Sequence, residues 1–90
     1  MRLKARTDGP QAAIVQALRK IGCRVFDTSR CGGGFPDLVV RAVGPKCRIL
    51  LMEVKSARGK MTWDQQRFLL DWPETIIVRS VEEALVEVMR

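Results

Sequence analysis

Apolar positions recur at helical spacing near both ends of the chain and at strand-like density between them. Ile14, Leu18 and Ile21, with Ala17 between, form a stripe that predicts a first helix. Asp8-Gly9-Pro10 would open it, because Asp caps helices and Pro suits the first turn, and Gly22 would close it at C′. Residues 25–28 (Val-Phe-Asp-Thr) read as a short strand, and residues 29–34 as a loop carrying Arg30 and three successive glycines. Two β-rich runs, 37–43 and 47–55, flank Gly44-Pro45-Lys46 and predict an antiparallel hairpin. Within the second run, Ile49 to Met52 is apolar on both faces, as suits a central strand covered by helices. A basic loop with Arg58, Gly59 and Lys60 follows. Thr62, with Gln65 three residues on, is a capping box for a second helix striped by Met61, Gln65, Phe68, Leu69 and Trp72, which Pro73 stops. Residues 75–78 form a β-branched strand. Ser80 and Glu83 make a second capping box before a final helix striped by Val81, Ala84, Leu85 and Val88. The predicted order is α-β-β-β-α-β-α with short connections, an α/β fold built on one mixed central sheet flanked by helices. The whole chain, 1–90, reads as a single domain, with residues 1–7 as a mobile basic arm bearing Arg2, Lys4 and Arg6.

The hairpin concentrates chemistry at one end. With the turn centred on Pro45, the numbers of facing residues sum to 90, which sets Asp37 across from Glu53. Directly opposed residues share a face of the sheet with Cβ atoms about 5 Å apart. Lys55, two residues beyond Glu53, lies on that face too.

Charge narrows the partner. Lys and Arg number 16 against 10 Asp and Glu, a net charge of +6, with no His. That balance suits a polyanion, nucleic acid before an anionic membrane, although solubility alone is the plainer reading. Three cysteines, 23, 31 and 47, lack metal-type spacing and read as reduced thiols of a cytoplasmic protein. No run approaches the ~18 apolar residues of a membrane span, and no signal-peptide core appears, so a soluble protein with no membrane partner is expected. A chain of this size buries only roughly 60–65% of its unfolded surface, which a dimer interface would supplement.

Opposed carboxylates repel unless a cation lies between them. Mg²⁺ is the natural candidate, taking hard oxygen ligands and keeping waters that a substrate phosphate displaces. The backbone carbonyl of Val54 would add an oxygen, and Lys55 would orient or deprotonate a water or stabilise charge on phosphate. The expected reaction is phosphodiester hydrolysis. The plain alternative is a solvated Glu53–Lys55 pair worth under about 1 kcal/mol, with Asp37 capping a turn. Against it, Glu53 ends the most apolar strand, where an unpaired charge is costly.

Pro36-Asp37, a spacer, then Glu53-Val54-Lys55 resembles the PD-(D/E)xK nuclease motif. Gly34-Phe35-Pro36-Asp37-Leu38, Gly59-Lys60-Met61-Thr62, Gln65, Phe68 and the stretch Val78-Arg79-Ser80-Val81-Glu82-Glu83 make the resemblance specific to its VRR-NUC branch, in the stand-alone phage or bacterial type. The resemblance implies a restriction-endonuclease-like core and a Mg²⁺- or Mn²⁺-dependent DNA endonuclease. Asp37 and Glu53 would be metal ligands and Lys55 the catalytic lysine. It also implies a homodimer selective for branched DNA such as four-way junctions, with larger relatives acting in DNA repair. Gln65 matches the family glutamine that orients Lys55 or the attacking water, a role that competes with its capping box. The family often carries an acidic residue near the start of the first helix; here the options are Asp8 and Gln11, with Asp8 a candidate metal ligand that capping would equally explain. Arg30, Arg58 and Lys60 flank the site on glycine-containing loops and read as a phosphate grip. Trp63 and Trp72 read as core or dimer-interface residues. A non-catalytic DNA-binding module with the same fold, a protein-interaction domain and an RNA nuclease are the alternatives.

Overall fold

The computed structural model describes residues 9–90, so the basic arm and Asp8 lie outside the described residues. The elements are α1 (Gln11–Lys20), β1 (Arg24–Asp27), β2 (Leu38–Arg41), β3 (Ile49–Val54), α2 (Trp63–Asp71), β4 (Ile76–Val78) and α3 (Val81–Val88), the expected order. The strands are shorter than the β-rich runs, because the backbone turns away near the β2–β3 connection, where Cys47 adopts a positive φ of 50°.

α1 begins at Pro10, which occupies the N-cap position with no side-chain cap. It ends in a Schellman motif: Gly22 takes φ +103°, its N–H bonds Arg19 O at 3.0 Å, and Cys23 N–H reaches Leu18 O at 3.0 Å. At α3, Ser80 caps Glu83 N–H as expected, but Glu83 does not close the box on Ser80. Its carboxylate instead accepts the N–H of Arg79, one residue earlier.

The four strands lie in the order β1-β2-β3-β4, antiparallel except for the parallel β3–β4 pair. Leu38 faces Met52, Val40 faces Leu50 and Arg41 faces Ile49, the register set by a turn at Pro45. This makes β3 a central strand. Its even positions, Leu50, Met52 and Val54, join Leu38, Val40 and Val78 on the inner face, packed on Ile14 and Leu18 of α1 and Ala84 and Val88 of α3. Burying that set is the main source of stability in so small a chain.

The outer face differs from the sequence expectation. β3 is not enclosed on both sides: Ile49 is 61% exposed and Leu51 half-buried. α2 buries no residue at all. It is tied down chiefly at the end where β2 starts and β3 finishes, with Phe68 meeting Phe35 edge-on at 5.3 Å between centroids and stacking on Trp72 at 6.0 Å. Trp63, just off the helical stripe, and Trp72, at its end, are therefore exposed rather than core residues, because the stripe covers loop and site residues instead of the sheet centre.

Candidate active site

Asp37 immediately precedes β2, and Glu53 and Lys55 straddle the end of β3. Asp37 bridges the two strands: its Oδ2 accepts the N–H of Val54 at 2.9 Å, while its backbone carbonyl accepts Thr28 N–H at 2.7 Å. Thr28 in turn donates its hydroxyl to the carbonyl of Pro36 at 2.7 Å, which pins the Pro36-Asp37 corner from the β1 side. Glu53 is only 2% exposed and Lys55 7%. Lys55 Nζ lies 3.6 Å from Glu53 Oε2, and Gln65 Nε2 donates to the same oxygen at 2.8 Å. The other carboxyl oxygen, Oε1, is buried and receives no hydrogen bond.

The acidic side chains of Asp37 and Glu53 meet on one face. Burial, and after it the neighbouring charge of Asp37, push the Glu53 carboxyl pKa up to about 8, while the Lys55 ammonium opposes both. Such a pair holds one proton until a cation replaces it. A buried carboxyl oxygen without a donor, facing a second carboxylate, fits a hard divalent cation. Among the described residues no three His, Cys, Asp or Glu side chains gather at one point. From the described residues an ion there would have two carboxylates, complemented by backbone oxygen, water or substrate.

Gln65 resolves the competition between its two expected roles by using both ends of one amide. Its Oε1 accepts Thr62 N–H at 2.8 Å and its N–H bonds Thr62 Oγ1 at 3.1 Å, a complete capping box. Its Nε2 remains to hold Glu53. Its contact is with the acidic ligand candidate, not with Lys55.

A family model described as the VRR-NUC domain matches residues 4–89. The chain belongs to the VRR-NUC family. No curated protein and no solved structure gave a significant match. Its four-stranded mixed sheet with three helices is the restriction-endonuclease-like core, and membership makes it a nuclease-family module that acts on DNA, of the phosphodiesterase kind. Among the described residues no helix is long and apolar enough to cross a membrane.

The basic candidates of this VRR-NUC chain separate into two groups. Arg58 and Lys60 are exposed on the loop after β3, on either side of Gly59, where an added Cβ would crowd Ser56, 3.0 Å from its Oγ and 3.3 Å from its backbone N. Arg30, on the β1–β2 loop, lends its positive charge to Asp27, whose carboxyl is held below the usual range first by the Ser29 hydroxyl. Gln11, at the start of α1, is buried and donates to Asp27 at 3.3 Å. An uncharged amide turned to Asp27 does not serve as the family's acidic residue.

Arg79 and Gly34, which the sequence reading named only within the stretches that carry the resemblance, have structural roles beside the site. Arg79 donates to the carbonyls of Ser56 at 2.7 Å and Gly59 at 2.8 Å and so braces the Arg58–Lys60 loop beside Lys55. Its position straight after β4 was a readable signal, but its target loop was not. Gly34, with φ +82°, allows the chain to pass close to the start of α2, where a Cβ would strike the carbonyl of Asp64. Of the three successive glycines only Gly34 meets α2 in this way, whereas Gly32 and Gly33 face open space.

Proposed function

We propose that the protein is a divalent-metal-dependent deoxyribonuclease in which Asp37 and Glu53 hold Mg²⁺ or Mn²⁺ together with the carbonyl of Val54. The buried, unpartnered Oε1 of Glu53 beside Asp37 carries this reading. Val54 supports it, because its N–H points at Asp37 and a strand residue sends its carbonyl to the same edge. A cation in this place would lower the pKa of a water and neutralise charge on the phosphate. Lys55 keeps an ammonium at Glu53, where it orients the water or offsets charge developing on the phosphate oxygens. Gln65 fixes the Glu53 carboxyl so that it does not turn away when ionised. Arg58 and Lys60 grip flanking phosphates on a loop that Arg79 holds still. Asp8 remains a candidate further ligand.

The finer reading is a structure-selective endonuclease acting on branched DNA such as four-way junctions, as a homodimer in a bacterial or phage-infected cell. A two-fold pair of sites suits symmetric cutting of two strands. Trp63, Leu70 and Trp72 of the α2 region are all more than half exposed and offer the apolar surface that a second copy would cover. The test is incubation with linear, flap, splayed and four-way-junction DNA, with Mg²⁺ or Mn²⁺ against EDTA. Cleavage should need the metal and favour the branched forms. Asp37→Ala and Lys55→Ala should abolish it while keeping the fold and most DNA binding. Wild-type protein that binds DNA yet cuts none of these would instead be a non-catalytic binding module.

A further inference from the structure

The outer face of the sheet continues away from the carboxylate pair in an ordered way that the proposed hydrolysis does not use. Register places Phe26 opposite Val39, and Arg24 opposite Arg41. Opposed residues share a face, and since Val25, Leu38 and Val40 face inward, Arg24, Phe26, Val39 and Arg41 face outward with Glu53. The Phe26 row lies two residues along from the Asp37–Glu53 end, and the arginine row four residues along, about 13 Å at strand spacing. Phe26 is 70% exposed in the body of a strand, where most aromatic side chains would be covered. Arg24 and Arg41 are both exposed and directly opposed, a like-charge pair that costs stability in the free protein. Arg41 donates a hydrogen bond to Cys47 Sγ at 3.4 Å, and the ion pairs found among the described residues, Lys55–Glu53 and Arg90–Glu87, involve neither arginine.

We propose that this face is a track for an unpaired nucleic-acid strand leading from the Asp37–Glu53 site, with Phe26 stacking a base and Arg24 and Arg41 gripping phosphates. The proposal rests on the nuclease reading and names the part of the substrate that the protein holds. Base faces are available to an aromatic ring only where the strand is unpaired, so the occupant is a single-stranded arm rather than uninterrupted duplex. Charge decides against a second copy of this chain here: two opposed cations beside an apolar row call for a polyanion, and a two-fold contact would bring the same uncompensated arginines to the seam.

The test measures anisotropy of labelled single-stranded, splayed and blunt duplex oligonucleotides with the full chain in EDTA, so that nothing is cut. Phe26→Ala should weaken single-stranded and splayed binding about tenfold, within the range of one lost base stack, and leave blunt duplex within about twofold. Phe26→Trp should restore binding and Phe26→Leu should not, which separates stacking from packing should Phe26→Ala fold poorly. Removing both arginines should lower the salt slope for single strands by about 1.4, two phosphates at ~0.7 each. Wild-type affinity and slope in Phe26→Leu and Arg24→Ala/Arg41→Ala would overturn the track. So would a dimer that becomes monomeric in Phe26→Leu, which would give the face to a second copy. If wild type cuts no DNA with either metal while single-strand binding still depends on Phe26, the nuclease reading fails and the track stands.

Discussion

At the scale of single residues, Glu53 is the most constrained group in the protein. Its folded carboxyl stays protonated up to about pH 8, above its ordinary 4.5, so between those values the folded state holds a proton that the unfolded state has released. Stability therefore falls as pH rises across that window and levels off beyond it. Thermal melts of metal-free protein at pH 5, 6.5 and 8.5 should show the decline, and Glu53→Gln should flatten it. Mg²⁺ or Mn²⁺ should return most of the loss at pH 8.5 and little at pH 5, because the ion binds the ionised form. Gln65 has a double burden at this scale. Gln65→Ala keeps its backbone N–H on Thr62 Oγ1 and loses the bond its Oε1 accepts from Thr62 N–H, so it should cost about 0.5–1.5 kcal/mol in a urea melt, and it should lower kcat more than KM, since Glu53 loses its donor. Unchanged kcat would confine Gln65 to capping. The meeting of Asp37, Glu53 and Lys55 was legible because it follows from a register that a Gly-Pro turn determines. The dual use of Gln65 was not, because a sequence shows one amide and not where its two ends point.

Elements carry the next layer. The hairpin was legible in full register: the alternation of β2 and the position of Pro45 leave little freedom for slippage. The cover over β3 was not, since a run apolar on both faces looks the same whether a helix lies above it or open surface does. α2 was placed correctly in the chain by its capping box, yet its stripe covers Phe35 and the site end rather than the sheet centre. Gly34 is the hinge of that placement. Gly34→Ala meets both a left-handed backbone and the Asp64 carbonyl, so it should destabilise by about 1–3 kcal/mol. By displacing α2 and Gln65 it should also reduce cleavage, and a denaturation curve beside an activity assay checks both. Wild-type stability in that variant would mean that the loop and α2 separate freely.

For the molecule as a whole, the arginine row and the exposed apolar residues of the α2 region fall in different places. The arginine row lies on the outer sheet face beside Phe26 and Ile49, while Trp63 and Leu70 are exposed on α2 and Trp72 at its C-terminal end. The proposed strand track and the proposed dimer contact thus use different surfaces. Sedimentation should report twice the 10.2 kDa chain mass, and Leu70→Asp should halve it without changing the secondary structure. A monomer at every concentration would remove the homodimer from the proposal and leave the site untouched.

The claim under all of these is that Asp37 and Glu53 share one divalent ion. Crystals soaked in Mn²⁺ test it most directly through anomalous scattering. The prediction is a single strong peak between the two carboxyl groups, lost in Asp37→Ala. A peak seated elsewhere, or none at Mn²⁺ concentrations that support cleavage, would contradict the account.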